Sequence, residues 1–221
     1  MSKSSVVFFG ILLPMSSLTA CATDGADGAA VEDNADLNAR GGRTPAPAPA
    51  PAAASAELAQ ITFGDPSHAG TGCPQGVGSV TLSADHTTLS VTTGPYTAST
   101  AGAITQRRKN CLAAFSFVAP AGIRLGIASA TFVGSTNVAA GGTGRVTVEK
   151  RFAFGVDDIT DRQLTGPVSG PFSLDTDPGV TWSACGESNI ATIATQVVAG
   201  GQSAELTGTR FSATLVAERC P

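Results

Sequence analysis

Hydrophobic and polar residues alternate in short runs over most of the chain. From Arg145 to Val156, the residues Val146, Val148, Phe152, Phe154 and Val156 occupy one parity, and Arg145, Thr147, Glu149 and Arg151 occupy the other. Successive strand side chains point to opposite faces, so this pattern predicts a strand with one buried and one solvated face. The same alternation places Ile123, Leu125 and Ile127 together, and likewise Val80 with Leu82, Leu89 with Val91, and Phe115 with Phe117. Near the C-terminus Phe211, Ala213, Leu215 and Ala217 share a face while Leu206 falls on the opposite parity; Gly208 between them is where a bulge would restore the register. Gly, Pro, Asn or Asp interrupt these runs every 8–15 residues or so, and no helical period is sustained over ten residues. The prediction for residues 57–221 is an all-β fold, an antiparallel β-sandwich of Ig-like or jelly-roll-like form.

The first quarter reads differently. Lys3 is followed by an apolar run from Val6 to Met15 and then by Leu18-Thr19-Ala20-Cys21, which predicts a signal peptide over residues 1–21. Its ten-residue apolar run is half of the roughly 20 residues that a transmembrane helix needs. Leu18-Thr19-Ala20-Cys21 resembles the bacterial lipobox, which implies cleavage before Cys21, lipid on that cysteine and membrane anchoring by several acyl chains. With Ala22 rather than Asp at the next position, the resemblance implies the outer membrane or cell surface. The alternative is Ala20-Cys21-Ala22 read by the ordinary signal peptidase, which would discard Cys21 and secrete the chain. Residues 22–56 contain no Phe, Tyr, Trp or Ile and have Pro45, Pro47, Pro49 and Pro51 alternating with Ala, so they are expected to be a disordered, semi-rigid tether.

Charge narrows the function classes. The chain has 221 residues with 13 Lys+Arg against 17 Asp+Glu, and the 14% of charged residues form no basic excess of the kind that holds nucleic acid. Two His residues leave little of the usual general-base vocabulary. Cys73, Cys111, Cys185 and Cys220 are an even set in a chain read as exported, so two disulfides are expected rather than a zinc site. Three pairings are possible, and loop length favours Cys73 with Cys111 and Cys185 with Cys220.

The cysteines lie in Gly70-Thr71-Gly72-Cys73-Pro74-Gln75-Gly76, Arg108-Lys109-Asn110-Cys111 and Trp182-Ser183-Ala184-Cys185-Gly186, with Cys220 near the end. Together with Pro120-Ala121-Gly122, Gly166-Pro167-Val168-Ser169-Gly170 and Ile193-Ala194-Thr195-Gln196-Val197, this resembles the secreted family known as domain of unknown function 4360 across nearly all of residues 60–220. The resemblance implies export, an all-β fold and shared cysteines, and brings no reaction with it. Members often carry a Tyr-rich segment after the Pro-x-Gly turn and an aromatic beside the last cysteine. Here those stretches read Phe132-Val133-Gly134-Ser135-Thr136 and Glu218-Arg219-Cys220, so any ligand platform those aromatics form is expected to be missing.

The candidates for ligand contact are few. Tyr96 and Trp182 are the large amphipathic aromatics, able to stack on sugar faces if exposed. Trp182, sharing parity with Val180 and lying close to Cys185, is read first as packing over a disulfide in the core, whereas Tyr96, beside Pro95 in a turn-like run, stays open between core and surface. Arg107, Arg108 and Lys109 form the one basic cluster, a solvated loop or a contact for anionic polysaccharide. Asp157, Asp158 and Asp161 supply oxygen ligands that would suit calcium, against the simpler reading of a polar turn. No Gly-x-Ser-x-Gly, His-Glu-x-x-His or phosphate-binding loop is present, and His68 and His86 sit in turn-like contexts. The expectation is therefore a non-catalytic β-sandwich without a cofactor, held to a membrane through Cys21 and recognising polysaccharide or an envelope protein. The alternatives are a passive structural component of the envelope or matrix, and an unrecognised hydrolase.

Overall fold

Alternating sequence becomes alternating burial along twelve strands among the described residues. The computed structural model describes residues 56–221 apart from Phe154, so the expected signal peptide, Cys21 and nearly all of the tether lie outside the described residues. The strands are β1 (Thr62–Phe63), β2 (Ser67–Ala69), β3 (Ser79–Leu82), β4 (Thr88–Ser99), β5 (Arg108–Val118) and β6 (Ile123–Val138). They are followed by β7 (Gly142–Phe152), β8 (Asp158–Thr165), β9 (Val168–Asp175), β10 (Thr181–Trp182), β11 (Ser188–Gly201) and β12 (Ala204–Arg219). The first sheet runs β1-β5-β11-β7-β8, with β2 also on β5; the second runs β10-β6-β12-β4-β3, with β9 also on β6. Every pairing is antiparallel. The two sheets face each other as a sandwich. Their inner faces supply Phe115, Phe117, Ile193, Val148 and Phe152 on one side and Leu89, Leu125, Ile127, Phe132 and Leu215 on the other, all buried.

The expected bulge in β12 is present. The register shifts between Gly208 and Arg210 against both β4 and β6, and it turns Leu206 and Phe211 to the same inner face. Gly208 is required by packing as well. A Cβ there would stand 2.5 Å from Tyr96 Cζ and 2.6 Å from Phe132 Cζ, too close for any side chain.

The strand expected over Arg145–Val156 needs correction at its end. Strand β7 stops at Phe152, where a Gly155 amide donates to the Phe152 carbonyl at 2.9 Å and turns the chain toward β8. Val156, past that turn, is 87% exposed rather than on the buried face. Lys150 shares the parity of Val148 and Phe152 and is fully buried with them.

Both disulfides form as loop length favoured. Cys73–Cys111 pins the segment after β2 to β5 with Cα atoms 5.3 Å apart, and Cys185–Cys220 ties the segment between β10 and β11 to the end of β12 with Cα atoms 6.2 Å apart. The first is buried, while Cys185 is exposed.

Candidate functional site

The pleat decides which of the candidate residues can meet a ligand. Tyr96 lies within β4, not in a turn, and points inward with 5% of its surface exposed. Its ring stacks against Phe132 at 6.1 Å between centroids, and its hydroxyl hydrogen-bonds Thr195 Oγ1 at 2.9 Å. Burial pushes that hydroxyl far above the ordinary phenol range, with the Thr195 bond opposing the shift. Tyr96 is a core residue, out of reach of a polysaccharide.

Trp182 goes the other way. The ring is not in the core over a disulfide; it lies half-buried on the outer face of the second sheet, packed across Gly126, where a Cβ would come within 2.7 Å of the indole. Arg124 stands over the ring at 4.7 Å from its centroid and pairs with Glu218, and Val180 beside it is 38% exposed. The neighbouring Leu125 and Ile127 fill the inner face, so only the outer side of Gly126 is left for the indole.

The basic cluster is divided by the same alternation. Arg108 and Lys109 begin β5 and are strand residues rather than a loop; Arg108 is outward, and Lys109 follows the inward parity of Cys111. With the Gln196 amide turned so that its carbonyl faces the guanidinium, Arg108 donates to it through Nε at 3.0 Å and Nη2 at 2.8 Å. Arg107 sits in the preceding turn with its Nε buried and unpartnered.

The three aspartates do not converge either. Asp158 and Asp161 are three apart on β8 and so face opposite sides of the sheet. Lys150 is 3.0 Å from Asp158, Arg145 is 3.0 Å from Asp161, and Arg151 lies 3.9 Å from Asp157. Each acid is taken up by a cation, and among the described residues no three His, Cys, Asp or Glu side chains gather as a metal site. The three acids offered as a calcium candidate instead form three separate ion pairs.

A site that the sequence reading passed over lies on the outer face of the second sheet. A depression of about 330 Å³ is lined by Ser90, Thr92, Thr131, Val133, Arg210 and Ser212, with the backbone of β4 and β12 beneath it. Around the bulge a second, wider depression of about 760 Å³ is bounded by Thr92, Val133, Ser135, Pro171, Ser173 and Arg210. Thr92, Val133 and Arg210 belong to both. Register explains the grouping: Arg210 stands opposite Thr92 and Val133, and Ser212 opposite Ser90 and Thr131. These are the polar halves of strands whose hydrophobic halves build the core. Runs such as Leu89-Ser90-Val91-Thr92 mark outward hydroxyls strand by strand, but only the register brings those of three strands together.

The outer face of the first sheet differs in charge. Its depression of about 270 Å³ includes Arg108, Glu149, Arg151 and Gln196, but those groups satisfy one another, with Arg151 Nε 3.5 Å from Glu149.

The profile of the family described as domain of unknown function (DUF4360) matches residues 59–217. The chain belongs to the DUF4360 family. No curated protein matches this DUF4360 chain. Two solved structures similar to it are TmCBM61 in complex with beta-1,4-galactotriose and the family 11 carbohydrate-binding module from Clostridium thermocellum in complex with a beta-1,3-1,4-mixed-linked tetrasaccharide. The first is 10% identical with a TM-score of 0.28, covering 70% of this chain and 88% of that one. The second is 9% identical with a TM-score of 0.21, covering 70% and 86%.

Proposed function

We propose that this DUF4360 domain is a non-catalytic recognition module that binds polysaccharide across the outer face of its second sheet. The observation that carries this reading is the pair of adjoining depressions lined by serine and threonine hydroxyls around Arg210. Hydroxyls that donate and accept, small apolar contacts such as Val133 and Pro171, and one cation make a surface matched to sugar hydroxyls. Recognition is favoured over hydrolysis because the lining contains no Asp, Glu, His or Cys, and a guanidinium cannot exchange protons near neutral pH. Trp182, half-buried beside the exposed Val180 on the same outer face, gives the aromatic patch that a purely passive structural protein would not need.

Two disulfides suit an oxidising compartment. Export by the signal peptide, lipidation of Cys21 and display on the outer membrane through the tether complete the proposal: anchor, spacer and binding domain. The test is retention of the purified, oxidised chain on immobilised neutral and acidic polysaccharides beside a Ser212→Trp variant that fills the smaller depression. Saturable retention, lost in S212W, supports the reading. Absence of retention on every polymer overturns it in favour of a structural role or a protein partner.

A further inference from the structure

We infer that the polysaccharide is acidic and that Arg210 takes its carboxylate, an assignment that rests on the binding face proposed above.

Four described arginines face a carboxylate: Arg124 pairs with Glu218, Arg145 with Asp161, Arg151 with Glu149, and Arg219 with Glu57. Among the described residues no carboxylate pairs with Arg210, although it stands on a face with charged neighbours such as Asp175, whose carboxylate is engaged by Thr131 Oγ1 at 2.7 Å. Arg107, Arg108 and Arg162 also have no carboxylate partner there, but Arg107 and Arg162 line none of the described depressions and the guanidinium of Arg108 is held by the Gln196 carbonyl. Arg210 lines two, and it is the one charged residue in either lining.

The bulge sets its direction. An extra residue on one strand re-aims the side chain that follows it. Here the shifted residue, Thr209, is fastened to both neighbouring strands: its Oγ1 donates to the Val133 carbonyl at 3.1 Å, and its own carbonyl accepts from Thr93 Oγ1 at 2.9 Å. The backbone leading into Arg210 is therefore held, and the guanidinium projects from the boundary between the two depressions. A planar guanidinium matches a planar carboxylate through two parallel hydrogen bonds, and a serine- and threonine-lined floor can satisfy the hydroxyls of the same sugar. The ligand class that combines a carboxylate with ring hydroxyls is a uronic-acid polymer.

The experiment compares binding of the oxidised chain to polygalacturonate, to alginate, to carboxyl-reduced polygalacturonate and to dextran sulfate, using wild type, Arg210→Ala, Arg210→Lys and Ser212→Trp. Arg210 is exposed, and unchanged thermal midpoints for its variants confirm intact folds. The expected result is binding to polygalacturonate or alginate that weakens about tenfold or more on carboxyl reduction and by a similar factor in R210A, with R210K in between because an ammonium offers no fork. Equal binding of native and carboxyl-reduced polymer, unaffected by R210A but abolished by S212W, overturns the acidic assignment and leaves the binding face standing. Preference for dextran sulfate over both uronates also overturns it, assigning the site to sulfate esters. Failure of every polymer to bind overturns the binding face itself.

Discussion

Replacing Asp158 is expected to destabilise the domain far more than replacing Lys150, although the two residues are partners. Lys150 has no exposed side-chain surface; its ammonium lies 3.0 Å from Asp158 Oδ2 and donates to the Gly179 carbonyl at 3.0 Å. Asp158 is 33% exposed and also accepts from Thr181 Oγ1 at 3.0 Å. Removing one partner of a buried pair costs about 3–5 kcal/mol because a charge is left buried alone, and Asp158→Asn does this to the ammonium. Water reaching the aspartate side moderates the loss, giving about 3 kcal/mol, or roughly 6–12 °C in Tm for a domain of this size. Lys150→Met instead removes the charge that most needs a partner, keeps similar volume and leaves an aspartate with a hydroxyl donor and access to solvent. Its expected cost is about 1 kcal/mol or less. The double variant should resemble K150M alone, with a coupling of about 3 kcal/mol. Urea unfolding of the disulfide-intact protein, followed by Trp182 fluorescence, measures all four states. A K150M loss equal to or greater than that of D158N would refute this account of the pair.

Other outcomes follow from the core and its bridges. Burial raises the pKa of the Tyr96 hydroxyl in the folded state above its value in the unfolded chain, so its stabilising contribution is complete below about pH 10 and is lost as pH rises further. Tyr96→Phe should flatten that alkaline decline in unfolding free energy, and an unchanged slope would contradict it. Gly208→Ala forces a methyl into Tyr96 and Phe132 and should cost about 1–3 kcal/mol in chemical unfolding, whereas a neutral result would mean that the bulge can shift. Cys111→Ser opens a bridge closing a separation of 38 residues and should lower stability by about 3–4 kcal/mol, with a smaller Tm change contradicting the chain-entropy account.

The inner half of the fold was legible because burial on one face writes period-two alternation into the chain. Ile123, Leu125 and Ile127, the bulge at Gly208 and the cysteine pairing favoured by loop length all followed from local pattern. The exceptions have tertiary causes. Lys150 occupies a core parity because Asp158, on the neighbouring strand, and the Gly179 carbonyl meet its ammonium there. Tyr96 is inside because Thr195, 99 residues away on the opposite sheet, accepts or donates to its hydroxyl. Trp182 is outside because β10 pairs with β6 at Gly126, whose missing side chain leaves a place for the indole on the outer face. Nor could the proposed binding face be read locally, since Ser90, Thr131 and Arg210 come from three strands and become neighbours only through the register of β4, β12 and β6. A surface serine or threonine in a strand carries no signal of its own.

The central claim is that the outer face of the second sheet is where the ligand lies. It is tested most directly by titrating the isotopically labelled, oxidised chain with a short oligogalacturonate and mapping amide shifts by NMR. The account predicts saturable shifts at Ser90, Thr92, Thr131, Val133 and Ser212, centred on Arg210 and absent from Arg108, Glu149 and Gln196 on the opposite face. Saturable shifts confined to that opposite face, or none anywhere with millimolar oligomer in either its native or its carboxyl-reduced form, would contradict it.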